Sequence, residues 1–241
     1  MGTLNFLMQG KGGVGKSFVA YILFQYFQKK GLAVQGFDID PVNKTFAGYK
    51  EFGVTPVDIM TDDDIDRYLF DRLISLLCEL PGETHAVVDN GASNFVSFCA
   101  YAKDENVFGI LREAGHEVVL HVPVPGGAAL PETITTMNAL LMHFPEYPKV
   151  VWLNPKDGPV TMNDHDFYGS TVYQEHRDQF RAVIEMPAYR RETYFRDLTE
   201  HLTRKCSFDY GVKYHGGVVT KSRIFHIWDD LEKIIDRSGL I

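Results

Sequence analysis

The chain has 241 residues, 45% of them hydrophobic, and its 32 acidic residues against 24 basic ones give a formal net charge of −8. That length and apolar content fit one α/β domain over residues 1–241 with a sizeable core. The acidity argues against a constitutive nucleic-acid coat, and no run is long and apolar enough to be an integral membrane segment. The charge is uneven: residues 1–169 hold 12 Lys/Arg and 21 Asp/Glu, a net −9, whereas residues 170–241 hold 12 and 11, a net +1. The N-terminal run lacks the basic–apolar–small pattern of a leader, and Cys78, Cys99 and Cys206 form no C-x-x-C pair. A cytoplasmic protein with reduced, mostly buried thiols is therefore expected.

In chain order, Leu4 to Gln9 reads as a strand. Gly10-Lys11-Gly12-Gly13-Val14-Gly15-Lys16-Ser17 follows, and an apolar helix-like run begins at Phe18. The eight residues fit G-x-x-x-x-G-K-[ST] in the strand–loop–helix setting that motif needs. Glycines let backbone N–H groups approach phosphate oxygens, and the helix N-terminus adds partial positive charge. Lys16 is suited to neutralise β- and γ-phosphates, and the Ser17 hydroxyl to ligate Mg²⁺.

A second strand, Ala33 to Asp38, leads into Asp38-Ile39-Asp40-Pro41. Ligands of open α/β sheets bind beyond the carboxyl ends of strands, so both carboxylates are well placed. Asp40 before Pro41 also suits a capped turn, and the two roles can coexist. Residues 62–80 show helical spacing after an acidic start at Asp62-Asp63-Asp64. His85-Ala86-Val87-Val88-Asp89 is a buried strand ending in a carboxylate, a pattern suited to holding Mg²⁺ through water. Asn90 to Asn94 is a candidate switch segment.

Residues 95–114 read as a helix, Glu117 to Val122 as a strand, Pro123 to Ala129 as a loop, and Glu132 to Phe144 as a helix. Val150 to Leu153 is a near-continuous apolar strand of the kind found inside parallel sheets, and it ends at Asn154. Residues 155–170 form a polar loop or lid. Ala182 to Met186 is a last strand stopped by Pro187, and the remainder is helical, broken around Gly211 and at Gly216-Gly217. The alternation predicts a mostly parallel sheet flanked by helices on both faces. The nine histidines show no metal-ligand spacing, and the run from Ile224 to Ile235 reads as a core-packing amphipathic helix.

Lys11, following the first glycine, makes the loop resemble the two-lysine phosphate-binding loop of the ParA/MinD family of P-loop ATPases. The resemblance covers roughly the first 200 residues. It implies a single-domain P-loop NTPase that binds ATP and Mg²⁺ and forms an ATP-dependent homodimer, with Lys11 reaching the partner's phosphates. It further implies that Asp40 activates water, that Asp38, Asp89 and Ser17 serve the metal, and that Gly10 to Phe18 cradle the nucleotide. Asn154, Met186 and Pro187 would line the base pocket; for Asn154, loop capping is the equal alternative. The segments Asp38 to Asn43, Val88 to Ser93, Val151 to Pro155 and Glu192 to Tyr194 resemble ParA-like proteins encoded in conjugative plasmid transfer regions. They imply a partner in conjugation. Two other readings are a partition ATPase with its own partner and a dethiobiotin-synthetase-like ligase; the first is put in doubt by the lack of a D-x-P-P stretch at Asp89. Eight basic residues between positions 190 and 223 leave open non-specific DNA binding or a solvated mixed-charge surface.

Overall fold

The structure, a computed structural model, describes residues 1–62, 64–162 and 165–241. Asp63 of the expected acidic helix start, and Asn163 and Asp164 of the expected polar loop, lie outside the described residues. The central sheet has seven strands: β1 (Thr3–Leu7), β2 (Val34–Asp38), β3 (Thr55–Pro56), β4 (His85–Asp89), β5 (Glu117–Pro125), β6 (Lys149–Asn154) and β7 (Phe180–Glu185). Their order is β7-β6-β5-β1-β4-β2-β3, and every pairing is parallel. β1 lies between the halves of the chain's winding, so the loop after it opens at the crevice where ligands of such sheets bind.

Helices cover both faces. α1 (Lys16–Lys29), α7 (Arg196–Thr203), α8 (Phe208–Tyr214) and α9 (Val218–Ser238) supply one core, with Tyr21, Phe24, Phe208, Ile227 and Leu231. α2 (Phe70–Cys78), α3 (Phe95–Asp104), α4 (Val107–Glu113) and α5 (Leu130–His143) supply the other, with Leu73, Phe98, Phe108 and Met137; the short α6 (Thr171–Glu175) adds Val172. Strand alternation divides the sheet between them: Val151 and Leu153 face the second core, Val150 and Trp152 the first. The C-terminal helix packs as its pattern predicts, burying Ile224, Ile227, Trp228, Leu231 and Ile235. No helix among the described residues is long and apolar enough to cross a membrane.

Four expected elements differ. The 62–80 helix begins only at Phe70. Before it, Met60–Thr61 and Asp64–Ile65 pair as a hairpin, and the Asp66 side chain caps a single 3₁₀ turn by accepting from the Tyr68 N–H. The 95–114 helix is two helices, because Asn106 adopts a left-handed φ of 51° between them. The strand expected to stop at Val122 runs to Pro125, so Pro123 and Pro125 extend it where a loop was expected. The expected break at Gly216-Gly217 is present, but Gly211 lies inside α8 and the other break falls between Arg204 and Ser207.

One buried polar network ties the strands together. The His121 Nε2 lies 3.0 Å from the Asn5 Oδ1, and its Nδ1 accepts from the Trp152 indole N–H at 3.0 Å. Asn5 in turn donates to the Ala86 carbonyl on β4. These partners demand a neutral ring with its hydrogen on Nε2. Burial, followed by the repulsion of Arg181, pushes the His121 pKa down to about 3. An unfolded imidazole titrates near ~6.5, so the unfolded chain binds a proton that the fold refuses, and stability falls as pH drops through that window. Nitrogen-15 NMR of the imidazole should show a neutral Nε2–H ring at pH 5. A midpoint near 6.5 in the folded protein would contradict this arrangement.

Candidate functional site

The loop from Met8 to Gly15 is pinned from behind and open in front. At its root, Gln9 accepts from the Gly10 N–H and donates to the Pro123 and Thr133 carbonyls. At its tip, the Lys156 ammonium donates to the Gly13 carbonyl at 2.7 Å, and the Asn154 amide donates to the Val14 carbonyl at 3.3 Å. Val14 is buried against the body of the protein. Gly13 and Gly15 take φ of 74° and 107°, and Gly15 is the N-cap of α1. With these carbonyls engaged behind it, the loop leaves N–H groups and the α1 N-terminus for an anion.

Lys16 begins α1 and is buried; its ammonium donates to the Lys11 carbonyl at 3.1 Å. Burial lowers its pKa, opposed by the charges of Asp89 and Asp40. Lys11 takes a different direction. Its ammonium pairs with Glu132 on α5 at 2.8 Å, and its side chain is 42% exposed.

The three acidic residues meet at the strand ends beside this loop. Asp38 and Asp89 are register partners on β2 and β4, and both are buried. Asp38 accepts from the N–H groups of Asp40 and Ala47, so it shapes the connecting loop. Asp40 accepts from the Val42 and Asn43 N–H groups at 2.9 Å each, which is the capped turn that the sequence allowed. Among the described residues neither carboxylate oxygen of Asp89 has a partner at full hydrogen-bond geometry, although the Ser17 hydroxyl lies close enough to act on it. Burial first, and then the charge of Asp38, raise its pKa to about 7, while Ser17 and Lys16 pull the other way. A buried, unpartnered carboxylate beside a hydroxyl is what a hydrated divalent cation would satisfy, so Ser17 and Asp89 fit Mg²⁺. The Asn90 and Asn94 side-chain carbonyls are also buried without partners. A Cβ at Gly91 would lie 2.8 Å from the Asp40 carboxyl carbon, so the 90–94 segment packs directly under Asp40.

Two cavities share Gly13, Gly15 and Phe18. One, of about 450 Å³, is lined by Gly12, Lys16, Ser17, Asp40, Thr45 and Ser93. The other, of about 770 Å³, is lined by Asn154, Met186, Pro187, Tyr189, Leu202 and Lys205 among others. The trough thus offers a charged end for phosphates and an apolar end for a base. Asn154 caps its loop, its side-chain carbonyl accepting from the Lys156 N–H, and it also lines the larger cavity. The 187–205 wall, including Lys205, was visible in sequence only through Pro187. Of the basic cluster, Arg204 pairs with Glu200 and Arg223 with Asp197, and the Lys205 ammonium reaches the Thr45 carbonyl.

Comparison with known proteins agrees with this architecture. Residues 6–235 match the family model of the CobQ/CobB/MinD/ParA nucleotide binding domain. The chain belongs to that family. Two Escherichia coli proteins, each named Protein TraL, are similar to it. One is 36% identical over 100% of both chains, and the other is 40% identical over 87% of this chain and 86% of its own length. The MinD cell division protein of Aquifex aeolicus shares the fold, with a TM-score of 0.51, 13% identity, and coverage of 94% of this chain and 97% of that one.

Within this CobQ/CobB/MinD/ParA domain the loop glycines are not equivalent. A Cβ at Gly15 would meet the Asn154 amide at 3.0 Å in a left-handed backbone, whereas one at Gly12 would meet nothing within 4 Å. Gly15→Ala should cost about 1–3 kcal/mol and Gly12→Ala less than about 0.5 kcal/mol. Thermal unfolding of the nucleotide-free protein measures both, and equal losses would contradict the loop geometry.

Proposed function

We propose that residues 1–241 form one Mg²⁺-dependent ATPase domain that dimerises with ATP and acts as a switch in conjugative plasmid DNA transfer. The unpartnered, buried Asp89 carboxylate at the mouth of the Lys16–Ser17 turn carries the reading. A site that handled only a neutral ligand would leave that carboxylate costly and unexplained. The relatives named TraL support the conjugative setting.

In this reading the loop N–H groups and Lys16 hold the phosphates, and Phe18, Asn154, Met186 and Pro187 bound the base. Mg²⁺, when bound, would offset the phosphate charge. Ser17 would ligate it, and Asp38 and Asp89 would accept hydrogen bonds from its waters. Asp40 orients the attacking water and takes its proton, while the 90–94 segment beneath it senses the γ-phosphate. Lys11 lines neither cavity of its own chain and, among the described residues, its ammonium pairs only with the exposed Glu132, so it is free to enter a partner's site. Catalysis is then electrostatic and stays slow until a second subunit, and a conjugation partner, complete the site. The ligase alternative has no use for such an outward lysine.

Lys16→Ala should weaken ATP binding by about 1.5–3 kcal/mol, roughly 10- to 150-fold, with the fold retained. Calorimetry showing wild-type affinity would remove the phosphate assignment. Asp40→Ala should bind ATP normally yet hydrolyse it about 10²- to 10⁴-fold more slowly. Lys11→Ala should also bind ATP, and its turnover should drop by about 10³-fold or more, as for a catalytic cation supplied in trans. Single-turnover hydrolysis at saturating ATP measures both losses, and undiminished rates would overturn the two roles.

A further inference from the structure

A second cluster lies behind the apolar end of the trough, where α7 and α8 meet α1. His201 sits near the end of α7, Cys206 in the connection, and His215 just past α8. Spacings of five and nine residues form no familiar motif, but the fold brings the side chains together. The Cys206 Sγ is 3.8 Å from the His201 Nδ1 and 3.6 Å from the His215 Nδ1. All three ligand atoms fall within 4.8 Å of one another. Sulfur and nitrogen bound at tetrahedral angles to one Zn²⁺, at ~2.3 and ~2.05 Å, stand about 3.6 Å apart.

The surroundings aim the donors. The Tyr21 hydroxyl donates to the Cys206 carbonyl at 3.0 Å and lies 2.8 Å from the His201 Nε2. With its one hydrogen committed, that hydroxyl accepts from Nε2–H, so Nδ1 presents a lone pair toward the sulfur. The His201 ring is held by stacking on Phe208, with centroids 5.2 Å apart. Gly211 leaves the space open: a Cβ there would lie 2.5 Å from the His201 Nδ1. His201 and Cys206 are buried, and His215 closes the cluster from the solvent side. A thiol has one hydrogen to donate and its sulfur is only a weak acceptor, yet two imidazoles converge here.

We propose that the His201 Nδ1, the Cys206 Sγ and a ring nitrogen of His215 form a binding site for a Zn²⁺-class ion. Thiolate and imidazole donors select that class over Mg²⁺. Binding forms one metal–sulfur and two metal–nitrogen bonds, the thiol proton passes to solvent, and water fills the fourth position. The ion staples α7 to α8. Leu202, Thr203 and Lys205, which line the large cavity, lie between two of its ligands in sequence, so its occupancy sets the rigidity of that wall.

The test uses the full chain, stripped of metal by a chelator and titrated with Co²⁺ without nucleotide. One equivalent should produce a thiolate-to-cobalt charge-transfer band and the intense visible bands of four-coordinate Co²⁺, and Zn²⁺ should abolish both. Co²⁺ at the oxygen ligands of Ser17 and Asp89 gives no charge-transfer band, so the two sites are distinguishable. Cys206→Ser should lose that band, His215→Ala, at the partly exposed edge, should weaken cobalt binding at least tenfold, and Cys99→Ser should change neither. Circular dichroism verifies that each variant is folded. Absence of the band in the wild-type protein, or its survival in Cys206→Ser, would overturn the proposal and leave a hydrogen-bonded thiol.

Discussion

Two carboxylates end neighbouring parallel strands side by side, and both are buried. Asp38 and Asp89 are register partners, and among the described residues only the nearby Ser17 hydroxyl, short of full hydrogen-bond geometry, offsets the burial of Asp89. Like charges in a low-dielectric site raise one another's pKa and cost stability. Cations offset part of that cost: Lys16, on the first turn of α1, is coupled to Asp89 and Asp40, and Lys205 to Asp38 and Asp89. The rest of the site follows from this. Asp38 spends its oxygens on the loop that carries Asp40, and the 90–94 segment packs against that loop. The residual negative charge is what the proposed Mg²⁺ would offset.

The same logic assigns different work to the two lysines of one loop. Lys16 is inside, partly desolvated and tied to the loop's own backbone. Lys11 is outside and paired with an exposed glutamate, an interaction worth about 1 kcal/mol or less. An ion pair that weak is readily exchanged for a phosphate on a second copy of the chain. In the proposed dimer, the loop would thus commit one lysine to its own site and offer the other to a neighbour's.

Much of this was legible in the sequence because phosphate-loop chemistry is local. Glycine, lysine and serine act at fixed offsets between a strand and a helix, and a carboxylate at the end of an apolar strand announces its position. Elements set by tertiary packing were less visible. Asn106 breaks a run that reads as one helix, and Asp66 caps a turn inside another. His121 and Asn5 sit within apolar strands and give no periodic sign that they bond across the sheet. His201, Cys206 and His215 look unrelated along the chain because their proximity depends on how α7 and α8 pack against Tyr21.

The central claim is that the site is completed in trans, by Lys11 of one subunit acting on the phosphates and Asp40 of the other. Complementation tests it most directly. Lys11→Ala and Asp40→Ala proteins, each inactive alone, are mixed in equal amounts and ATP hydrolysis is measured. In a two-fold dimer each mixed pair has one site with both wild-type groups, so random assortment should restore about one quarter of wild-type activity. Activity no greater than the sum of the separate variants would contradict action across the interface.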